Sequence, residues 1–439
     1  MTEKTFHIAN FGCRASQSEG AAIQEELLES GARVSTTPYD ANVVVVNSCT
    51  VTDEADRDVR QMIRRVATRN PEARIIVTGC YAQRAPEEIA LLPGVQYVVG
   101  NSHKPLVGRL TLNVLHDGGA ASGRAEIFCS DIFLEHDLKP RSHSGSAGRT
   151  RAVVKVQDGC NANCSFCIIP SVRGRSRSME PDVVLAEIRS LVERGYKEVV
   201  LSGIHLGTYG RDLSTRSSLR VLIHRILTEI PDLERIRLSS IEPLEVTPEI
   251  IDLVAEESRL AHHFHIPLQS GSRRILREMR RPYTPDYYAD LVRTIHSRVE
   301  DAAIGADVMV GFPGESDEEF FETYRLIENL PMTYLHVFPY SSRPGTPAAG
   351  MQAQVPAHVA QFRAKALRQL IAKKNESFRS GMIGRELEVL VLSSGEAISN
   401  NFIHIFPDGQ LPHNTWITVR VTALQEEGLA AVRHPDHVN

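Results

Sequence analysis

Three apolar runs near the amino terminus each stop shortly before a cysteine, and a helical stretch follows each run. Residues 6–11 precede Cys13, residues 43–46 precede Cys49 and residues 74–77 precede Cys80. The cysteines are 36 and 31 residues apart, a spacing that suits βαβ units, so the runs are predicted to be parallel strands of one sheet. The carboxyl ends of such strands share one edge, where open α/β sheets bind ligands, and we expect the distant thiols to meet there.

The central part of the chain alternates strand-like runs with amphipathic stretches. Apolar residues recur at helical spacing in residues 181–195 and 317–329. Six β/α units with right-handed crossovers predict an incomplete, six-stranded relative of the eightfold barrel, with its chemistry in loops at the carboxyl ends of the strands. The predicted strands are residues 152–157, 198–201, 235–239, 263–268, 304–310 and 334–339.

The last part of the chain changes character twice. Residues 361–380 hold six Lys or Arg against one acid on a helical pattern, which predicts a basic connector helix. Short β-type runs at 387–392, 402–406 and 416–422, with turn residues between them, predict a small β-barrel. The expected organisation is an α/β fold: a parallel-sheet domain at 1–135, a linker at 136–149, a partial (β/α) barrel at 150–360, the connector at 361–382 and a β-barrel at 383–439.

Composition narrows the class of protein. A length of 439 residues suits two to four domains, and 42% hydrophobic with 23% charged residues is typical of globular chains. No run approaches eighteen apolar residues, and the polar first residues lack an apolar segment behind them. We therefore expect a cytoplasmic protein with no membrane partner. The net charge of -5 does not by itself indicate a nucleic-acid binder.

The cysteines are concentrated in a way that disfavours a disulfide framework. There are seven, an odd number, and Cys160, Cys164 and Cys167 lie within eight residues, just after the first predicted strand of the central domain. Three thiolates so spaced can hold three irons of a 4Fe-4S cluster and leave the fourth iron open to a substrate or cofactor. The alternative, a structural zinc site, needs a fourth ligand, and the sequence offers none nearby.

This C-x-x-x-C-x-x-C loop after the first strand of a six-unit partial barrel resembles the radical S-adenosylmethionine superfamily. The resemblance implies that the open iron chelates the methionine part of S-adenosylmethionine, whose cleavage gives a 5′-deoxyadenosyl radical. It also implies cofactor contacts for Phe166, between the last two cysteines, and for Gly203, after the second strand. Further candidates for cofactor binding are Ser239 and Gln269 at strand carboxyl ends and Asp307 on a barrel strand.

The whole chain resembles a narrower family, the methylthiotransferases. That family builds a second 4Fe-4S cluster from three amino-terminal cysteines, which here are Cys13, Cys49 and Cys80; Cys129 matches no motif and is interpreted as an ordinary thiol. Residues 50–52 (Thr-Val-Thr) and 81–83 (Tyr-Ala-Gln) resemble the branch that modifies N6-threonylcarbamoyladenosine beside the tRNA anticodon. The matching segments are Gly12-Cys13-Arg14, Asn47-Ser48-Cys49-Thr50-Val51-Thr52, Gly79-Cys80-Tyr81-Ala82-Gln83, Gln157-Asp158-Gly159-Cys160, Arg173-Gly174-Arg175-Ser176-Arg177-Ser178 and Pro267-Leu268-Gln269-Ser270-Gly271-Ser272.

The resemblance implies the anticodon stem-loop of tRNA as a partner, with an external electron donor; it leaves the sulfur source open. The last domain resembles the RNA-binding TRAM module, but residues 383–439 carry a charge of -4, and phosphate binding needs cations. The basic helix 361–380, including Lys373 and Lys374, and the loops 173–177 and 273–281 are the candidate RNA surfaces.

Alternative functions remain at this point. The substrate could be isopentenyladenosine of tRNA or an aspartate of a ribosomal protein, as in sister branches, and a non-catalytic RNA-binding redox sensor is the alternative of a different class. The open three-cysteine loop favours an enzyme, because a structural cluster has no reason to leave one iron unsaturated. His262, His263 and His265 lack carboxylate or cysteine companions in their own strand, so we interpret them as core or surface residues and not as a metal site.

Overall fold

The computed structural model describes residues 4–117, 124–135, 138 and 150–433. Its first unit is a six-stranded sheet in the order β2-β1-β3-β4-β5-β6, and all of its strand pairs are parallel, as predicted. The run of valines in β3 is buried on both faces, as expected for the central strand of a sheet covered by helices on each side. The strands are β1 (Thr5–Asn10), β2 (Arg33–Val34), β3 (Val43–Ser48), β4 (Arg74–Gly79), β5 (Val95–Val99) and β6 (Glu126–Phe128).

Five helices cover this sheet, and the second shows why the local sequence folds as it does. The side chain of Thr52 caps its first turn by accepting a hydrogen bond from the Ala55 amide, and three acidic residues follow in that turn, where the helix dipole favours negative charge. The helices are α1 (Arg14–Glu29), α2 (Asp53–Arg69), α3 (Cys80–Arg84), α4 (Pro86–Ala90) and α5 (Val107–Asp117).

The central unit is the predicted six-stranded partial barrel. Its strands run parallel in the order β7-β9-β10-β11-β12-β13; single bridges join β10 to β11, and the short β8 pairs antiparallel with β7. The fourth strand stops three residues earlier than predicted, since Pro267 has no amide hydrogen and Gln269 takes a left-handed φ of 63°. The strands are β7 (Arg151–Asp158), β8 (Arg177–Ser178), β9 (Glu198–Gly203), β10 (Arg235–Leu238), β11 (His263–His265), β12 (Ala303–Val310) and β13 (Tyr334–Pro339).

Helices alternate with these strands and form the outer layer of the partial barrel. α12 begins with a capping box between Ser316 and Glu319, which satisfies two amide donors of the first turn. Alternate residues of each strand, such as Val154, Leu201 and Val308, pack under the helices in the largest core of the molecule. The helices are α6 (Ile169–Arg173), α7 (Pro181–Glu193), α8 (Leu219–Glu229), α9 (Pro248–Glu256), α10 (Arg273–Glu278), α11 (Pro285–Arg298) and α12 (Asp317–Asn329).

A long helix, α13 (Ala357–Ser380), leads into a closed five-stranded barrel in the order β14-β15-β16-β18-β17. The sequence predicted this barrel but missed two of its strands. The strands are β14 (Glu386–Val391), β15 (Ala397–Ser399), β16 (His404–Pro407), β17 (Trp416–Gln425) and β18 (Gly428–Arg433). Within the described residues, no helix combines the length and the apolar character that crossing a bilayer requires.

Both outer units dock on the central partial barrel. Helix α1 packs across β7 and β9, and Asp56 of α2 pairs with Arg343, which follows β13. The carboxy-terminal barrel lies at the amino-terminal ends of the central strands, where Arg237 donates to the backbone oxygens of Ser399 and Asn400. The predicted linker at 136–149 falls outside the described residues, apart from Leu138, which packs against the central core.

Candidate functional site

The three amino-terminal cysteines lie together at the carboxyl edge of the first sheet. Cys13 is the residue before α1, Cys49 directly follows β3, and Cys80 is the first residue of α3, directly after β4. This is the arrangement that parallel strands predict. Cys49 and Cys80 are buried, whereas Cys13 is exposed.

Two glycines allow the loops at this edge to approach each other. A Cβ on Gly12, which has a φ of 107°, would lie 2.8 Å from the Cβ and 3.0 Å from the Sγ of Cys49. A Cβ on Gly79, which has a φ of 101°, would lie 2.4 Å from the backbone oxygen of Ser48. Only glycine fits at these two positions, and their close packing brings the three thiols toward a common space.

The second cysteine group lies in the loop after β7. Gly159, with a φ of 71°, turns the chain where a Cβ would meet the backbone oxygen of Arg175, and the Cys160 amide donates to the Gly174 oxygen at 3.1 Å. Further along, the amide of Cys167 donates to the Cys164 oxygen at 3.2 Å. The loop is therefore held by backbone contacts that keep Cys160, Cys164 and Cys167 close.

Nitrogen atoms surround the sulfurs of both groups. Nδ1 of His205 lies 3.5 Å from Sγ of Cys160, and Nη1 of Arg281 donates to Sγ of Cys164 at 3.2 Å. In the other group, Nδ2 of Asn101 approaches Sγ of Cys80 at 3.6 Å. Donors of this kind stabilise thiolates and tune the clusters that thiolates hold. The sequence did not reveal these three partners, because each lies far along the chain from its cysteine.

The donor set fits iron-sulfur clusters better than single metal ions. Within the described part of the chain, no three cysteine sulfurs lie within 4.8 Å of one another, whereas a single tetrahedral zinc would hold sulfurs about 3.8 Å apart. Burial, reinforced by the neighbouring Cys80, raises the pKa of Cys49 to about 11, and burial raises the pKa of Cys167 to about 12. Such thiols become thiolates when a metal centre supplies compensating positive charge.

Two of the candidate cofactor-binding residues carry buried polar atoms without partners. Oγ of Ser239 and Oε1 of Gln269 are buried at strand ends without a hydrogen-bond partner in the described structure. Phe166 is partly buried against an apolar cluster that includes Met309 and Phe312. A Cβ on Gly203 would lie 2.9 Å from Oε1 of Gln157, so close packing also requires this glycine.

The histidines behave differently from the sequence-based interpretation. Nε2 of His265 lies 3.3 Å from Oδ1 of Asp307, and His336 of the last strand joins them within 4.8 Å. The interpretation of these histidines as core or surface residues considered companions in their own strand only, and the carboxylate beside His265 comes from the neighbouring strand. Asp307 is thus a member of this group of three side chains.

A buried charge network joins the two cysteine regions. Glu19 of α1 pairs with Lys104 of its own unit and, across the interface, with Lys155 at 2.8 Å and Arg173 at 2.9 Å. Asp158, two residues before Cys160, completes it by pairing with Lys155 and Arg173, each at 2.9 Å. Arg173 lies at the end of α6, close to Cys80 and Cys13. Burial acts to lower the pKa of Arg173, but negative charge at Cys80, Glu19, Asp158 and Cys13 raises it by more.

Several basic residues that were expected to face RNA are internal. Arg173 is fully buried, Arg177 donates to the Arg173 backbone oxygen, and Arg281 pairs with Glu242. In the connector helix, Arg363 is buried against Glu315, and Lys374 donates to the backbone oxygen of Glu328. Lys373 remains exposed. The predicted RNA surfaces are thus wrong for Arg173, Arg177, Arg281 and Arg363, which hold the fold. For the other basic residues of these segments the prediction stays untested; besides Lys373, the exposed ones are Arg175, Arg273, Arg274, Arg277, Arg280, Lys365 and Arg368.

Comparison with known proteins places these features in a context. Residues 154–327 match the radical SAM superfamily model, and residues 5–100 match the model described as uncharacterized protein family UPF0004. The chain is 39% identical to the threonylcarbamoyladenosine tRNA methylthiotransferase MtaB of Bacillus subtilis, over 90% of this chain and 86% of that protein. It is 37% identical to the protein of the same name from Aquifex aeolicus, over 91% and 95%.

Another relative is named for a different activity. The tRNA-2-methylthio-N(6)-dimethylallyladenosine synthase of Thermobifida fusca is 34% identical, over 98% of this chain and 89% of that protein. Among solved structures, the radical S-adenosylmethionine methyltransferase TsrM of Kitasatospora setae superposes with a TM-score of 0.57 at 15% identity, over 79% of this chain and 75% of that one. At that identity the likeness concerns the fold alone.

Proposed function

The chain belongs to the MtaB-like tRNA methylthiotransferases of the radical S-adenosylmethionine superfamily, and on this basis we propose that it converts N6-threonylcarbamoyladenosine in tRNA to the 2-methylthio derivative. The observation that carries the proposal is the pairing of two cysteine triads, at the carboxyl edges of two parallel sheets, on either side of one interface. One triad suits an iron-sulfur cluster that binds S-adenosylmethionine, and the other suits a second cluster.

The proposal assigns Cys160, Cys164 and Cys167 to the first 4Fe-4S cluster and Cys13, Cys49 and Cys80 to the second. When bound, the first cluster and S-adenosylmethionine supply the one-electron chemistry that opens an unactivated C–H bond. The chain contributes the environment: Arg281 and His205 donate toward the sulfurs of the first triad, and Asn101 toward the second. The electrons come from an external donor, and the sulfur source is unassigned.

S-adenosylmethionine is proposed to bind over the first triad. The buried oxygens of Ser239 and Gln269, which lack a partner among the described residues, would hydrogen-bond to it. Phe166 would contact its adenine, and the backbone of Gly203 at the end of β9 would contact its amino acid part. Asp307 borders the same space from β12. Hydrogen abstraction needs no perturbed acid or base, so the residues act by positioning one adenine carbon close to the reactive group.

The partner is proposed to be the anticodon stem-loop of tRNA. Proteins read RNA bases best when the bases are splayed from a loop, and the adenosine beside the anticodon is such a base. The amino-terminal unit would then present the second triad to the carbon that receives sulfur. This requires the two units to stay docked, and the buried network around Glu19 would hold them together.

The proposal is tested with the reconstituted enzyme, a reductant and two tRNAs, one carrying threonylcarbamoyladenosine and the other isopentenyladenosine. We expect 2-methylthio product from the first tRNA, detected by nucleoside mass spectrometry. Product from the second tRNA alone would assign to the chain the activity for which the Thermobifida relative is named. Product from neither, with active cofactor cleavage, would refute a tRNA substrate of these two kinds.

Cysteine variants separate the roles of the two triads. The wild type should hold about eight irons, and each variant about four, on the basis of two four-iron clusters. Cys164→Ala should abolish 5′-deoxyadenosine formation, whereas Cys49→Ala should keep it and make no methylthiolated product. Cofactor cleavage by the first variant, or sulfur insertion at the wild-type rate by the second, would contradict the assignment.

A further inference from the structure

The lumen of the partial barrel is lined by polar side chains. Residues that alternate with the outer core positions point inward, and they are charged or aromatic where a buried barrel would be apolar. His265 and Asp307 retain 14% and 28% of their side-chain exposure, and His336 is exposed on β13, the edge strand of the partial barrel. The lumen is therefore open enough to admit a ligand. The inward residues used below are Arg151, Glu198, Arg237, His263, His265, Asp307, Tyr334 and His336.

One cation enters this lumen from another unit. Arg14, which follows Cys13 at the start of α1, projects toward the ring of Phe402, with its guanidinium carbon 5.9 Å from the ring centre. Its pKa is lowered by burial, and Tyr334, Arg237 and Glu198 are its electrostatic neighbours. Among the described residues, no carboxylate oxygen lies within 4.0 Å of its charged nitrogens.

The neighbouring arginines differ in this respect. Arg237 is paired with Glu198 at 2.9 Å, and Arg151 lies 3.7 Å from the same carboxylate. Arg14 thus adds an uncompensated positive charge to a largely desolvated place, an arrangement that favours an anionic ligand. Phe402 and the carboxy-terminal barrel close the lumen below it.

Chemistry distinguishes the possible ligands. The threonylcarbamoyl group carries a carboxylate, a hydroxyl and a urea, whereas the dimethylallyl group is a hydrocarbon. Two imidazoles and a carboxylate offer donors and acceptors that suit the first group and would be desolvated without compensation by the second. The same three side chains could also bind a divalent cation, but the nearby guanidinium opposes a second positive charge.

We infer that the lumen is the binding site for the threonylcarbamoyl group, in which Arg14 binds its carboxylate and His265, Asp307 and His336 contact its hydroxyl and urea. This inference rests on the proposed function. The modified carbon C2 and the carbon C6, whose exocyclic nitrogen bears the group, flank the same ring nitrogen, so a base whose C2 lies between the two cysteine triads directs its substituent into the lumen. Arg14 and Cys13 are adjacent in sequence, which couples recognition of this group to the position of the second triad.

The test compares binding of two anticodon stem-loop RNAs, one with threonylcarbamoyladenosine and one with plain adenosine, in the absence of reductant. The wild type should prefer the modified RNA, and Arg14→Gln should lose most of that preference, about 10- to 100-fold, as expected for a buried charge-assisted hydrogen bond. Arg14→Lys should restore part of it, and His336→Phe should reduce it more modestly. Affinity for the unmodified RNA and iron content should not change. The control variant is Arg175→Gln, an exposed position between α6 and β8 that lies outside the strands lining the lumen.

Each contrary result has a separate meaning. A preference that survives in both Arg14→Gln and His336→Phe overturns the inference while leaving the proposed function intact. A wild type that acts only on isopentenyladenosine tRNA overturns the proposed function first. A metal ion found in the wild type in addition to the cluster irons, and lost in His336→Phe, would assign the three side chains to a cation and overturn the ligand site.

A second observation concerns the outside of the amino-terminal unit. From residue 57 to residue 69, helix α2 contains five arginines and one acid. Arg57, Arg64 and Arg65 are exposed and have no ion-pair partner among the described residues, whereas Arg60 pairs with Glu88 and Arg69 stacks over Tyr39. The helical spacing of 57, 61, 64, 65 and 68 places them on one face.

We propose that this arginine face, defined by Arg57, Arg64 and Arg65, binds phosphates of the tRNA. The proposed tRNA substrate is a polyanion, which suits the arginine face. Because α2 begins four residues after Cys49, this face extends from the region of the second triad along the helix.

Salt-dependent tRNA binding by the full, reconstituted chain tests this surface. The double variant Arg64→Gln/Arg65→Gln should weaken binding of modified and unmodified tRNA equally and lower the slope of log affinity against log salt by about 2, or about 1 for each lost phosphate contact. The control is Lys373→Gln, an exposed cation of α13. An unchanged slope in the double variant, or a loss confined to Lys373→Gln, would overturn the proposal.

Discussion

Removal of the Glu19 charge should loosen the interface that holds the two cysteine triads in place. Its carboxylate accepts hydrogen bonds from Lys104, Lys155 and Arg173, and these cations hold the pKa of Glu19 well below its usual range although burial acts to raise it. The five groups of the network carry a net formal charge of +1, which becomes +2 in Glu19→Gln. Lys104 belongs to the amino-terminal unit and the other two cations to the central unit, so the cost falls on their docking.

The size of the effect follows from burial. Breaking a buried ion pair costs about 3–5 kcal/mol, because the remaining charges are left without compensation. At about 1.4 kcal/mol for each factor of ten, the population of the undocked state should rise by two to four orders of magnitude. Glu25→Gln is the matched control: it lies on the same helix and reaches Arg194 of the central unit at 3.3 Å, but the Arg194 side chain is 38% exposed. That pair should be worth less than about 1 kcal/mol.

Hydrogen exchange read by mass spectrometry measures this difference directly. In Glu19→Gln, amides of α1 and of residues 158–173 should exchange faster, while β12 should be unaffected because the central core does not depend on the network. The second substitution in Glu19→Gln/Lys155→Met removes one of the uncompensated cations, so the double variant should be less perturbed than the sum of its single changes. Equal exchange in the Glu19 and Glu25 variants would refute the reasoning, since it would show that burial does not set the strength of these pairs.

The parallel architecture and both cysteine groups were predictable from sequence because they depend on local and periodic signals. Strands that end in cysteine at βαβ spacing leave few alternatives for where Cys13, Cys49 and Cys80 lie, and the structure places them at one sheet edge. Strands β15 and β18 were missed because their local signals are weak. The first has three residues and the second starts with Gly428 and contains two alanines, so neither shows a strong β pattern.

Pairings between distant residues could not be predicted in this way. Basic runs were interpreted as solvent-facing, yet Arg173 meets Glu19 across 154 residues and Arg281 meets Glu242 across 39. A run of arginines has the same local pattern whether its partners are phosphates or buried carboxylates. The carboxylate near His265 was invisible for the same reason, since strand order in the barrel, and not sequence distance, brings Asp307 beside it.

Two further predictions concern the central unit. In Gly159→Ala, the new Cβ would lie 1.9 Å from the backbone oxygen of Arg175, so the cysteine loop must shift, and reconstituted iron should fall from about eight to about four per chain; full iron content would contradict the required glycine. The last prediction concerns Glu187 of α7, whose pKa burial raises to about 8, with Lys155 acting in the opposite direction. Because the folded chain holds this proton more tightly than the unfolded chain, which releases it near pH 4.3, the carboxyl increasingly destabilises the fold as pH rises between those values. The difference in the free energy of unfolding between Glu187→Gln and wild type should therefore favour the variant. At about 1.4 kcal/mol for each pKa unit, this difference should grow by about 2 to 3 kcal/mol from pH 6 to pH 9 and level off above pH 9. Denaturant unfolding at each pH measures it, with Glu193→Gln, an exposed position at the end of the same helix, as the control. A difference that is constant with pH would mean that Glu187 is ionised in the folded chain, and that Lys155 balances its burial as well as that of Glu19 and Asp158.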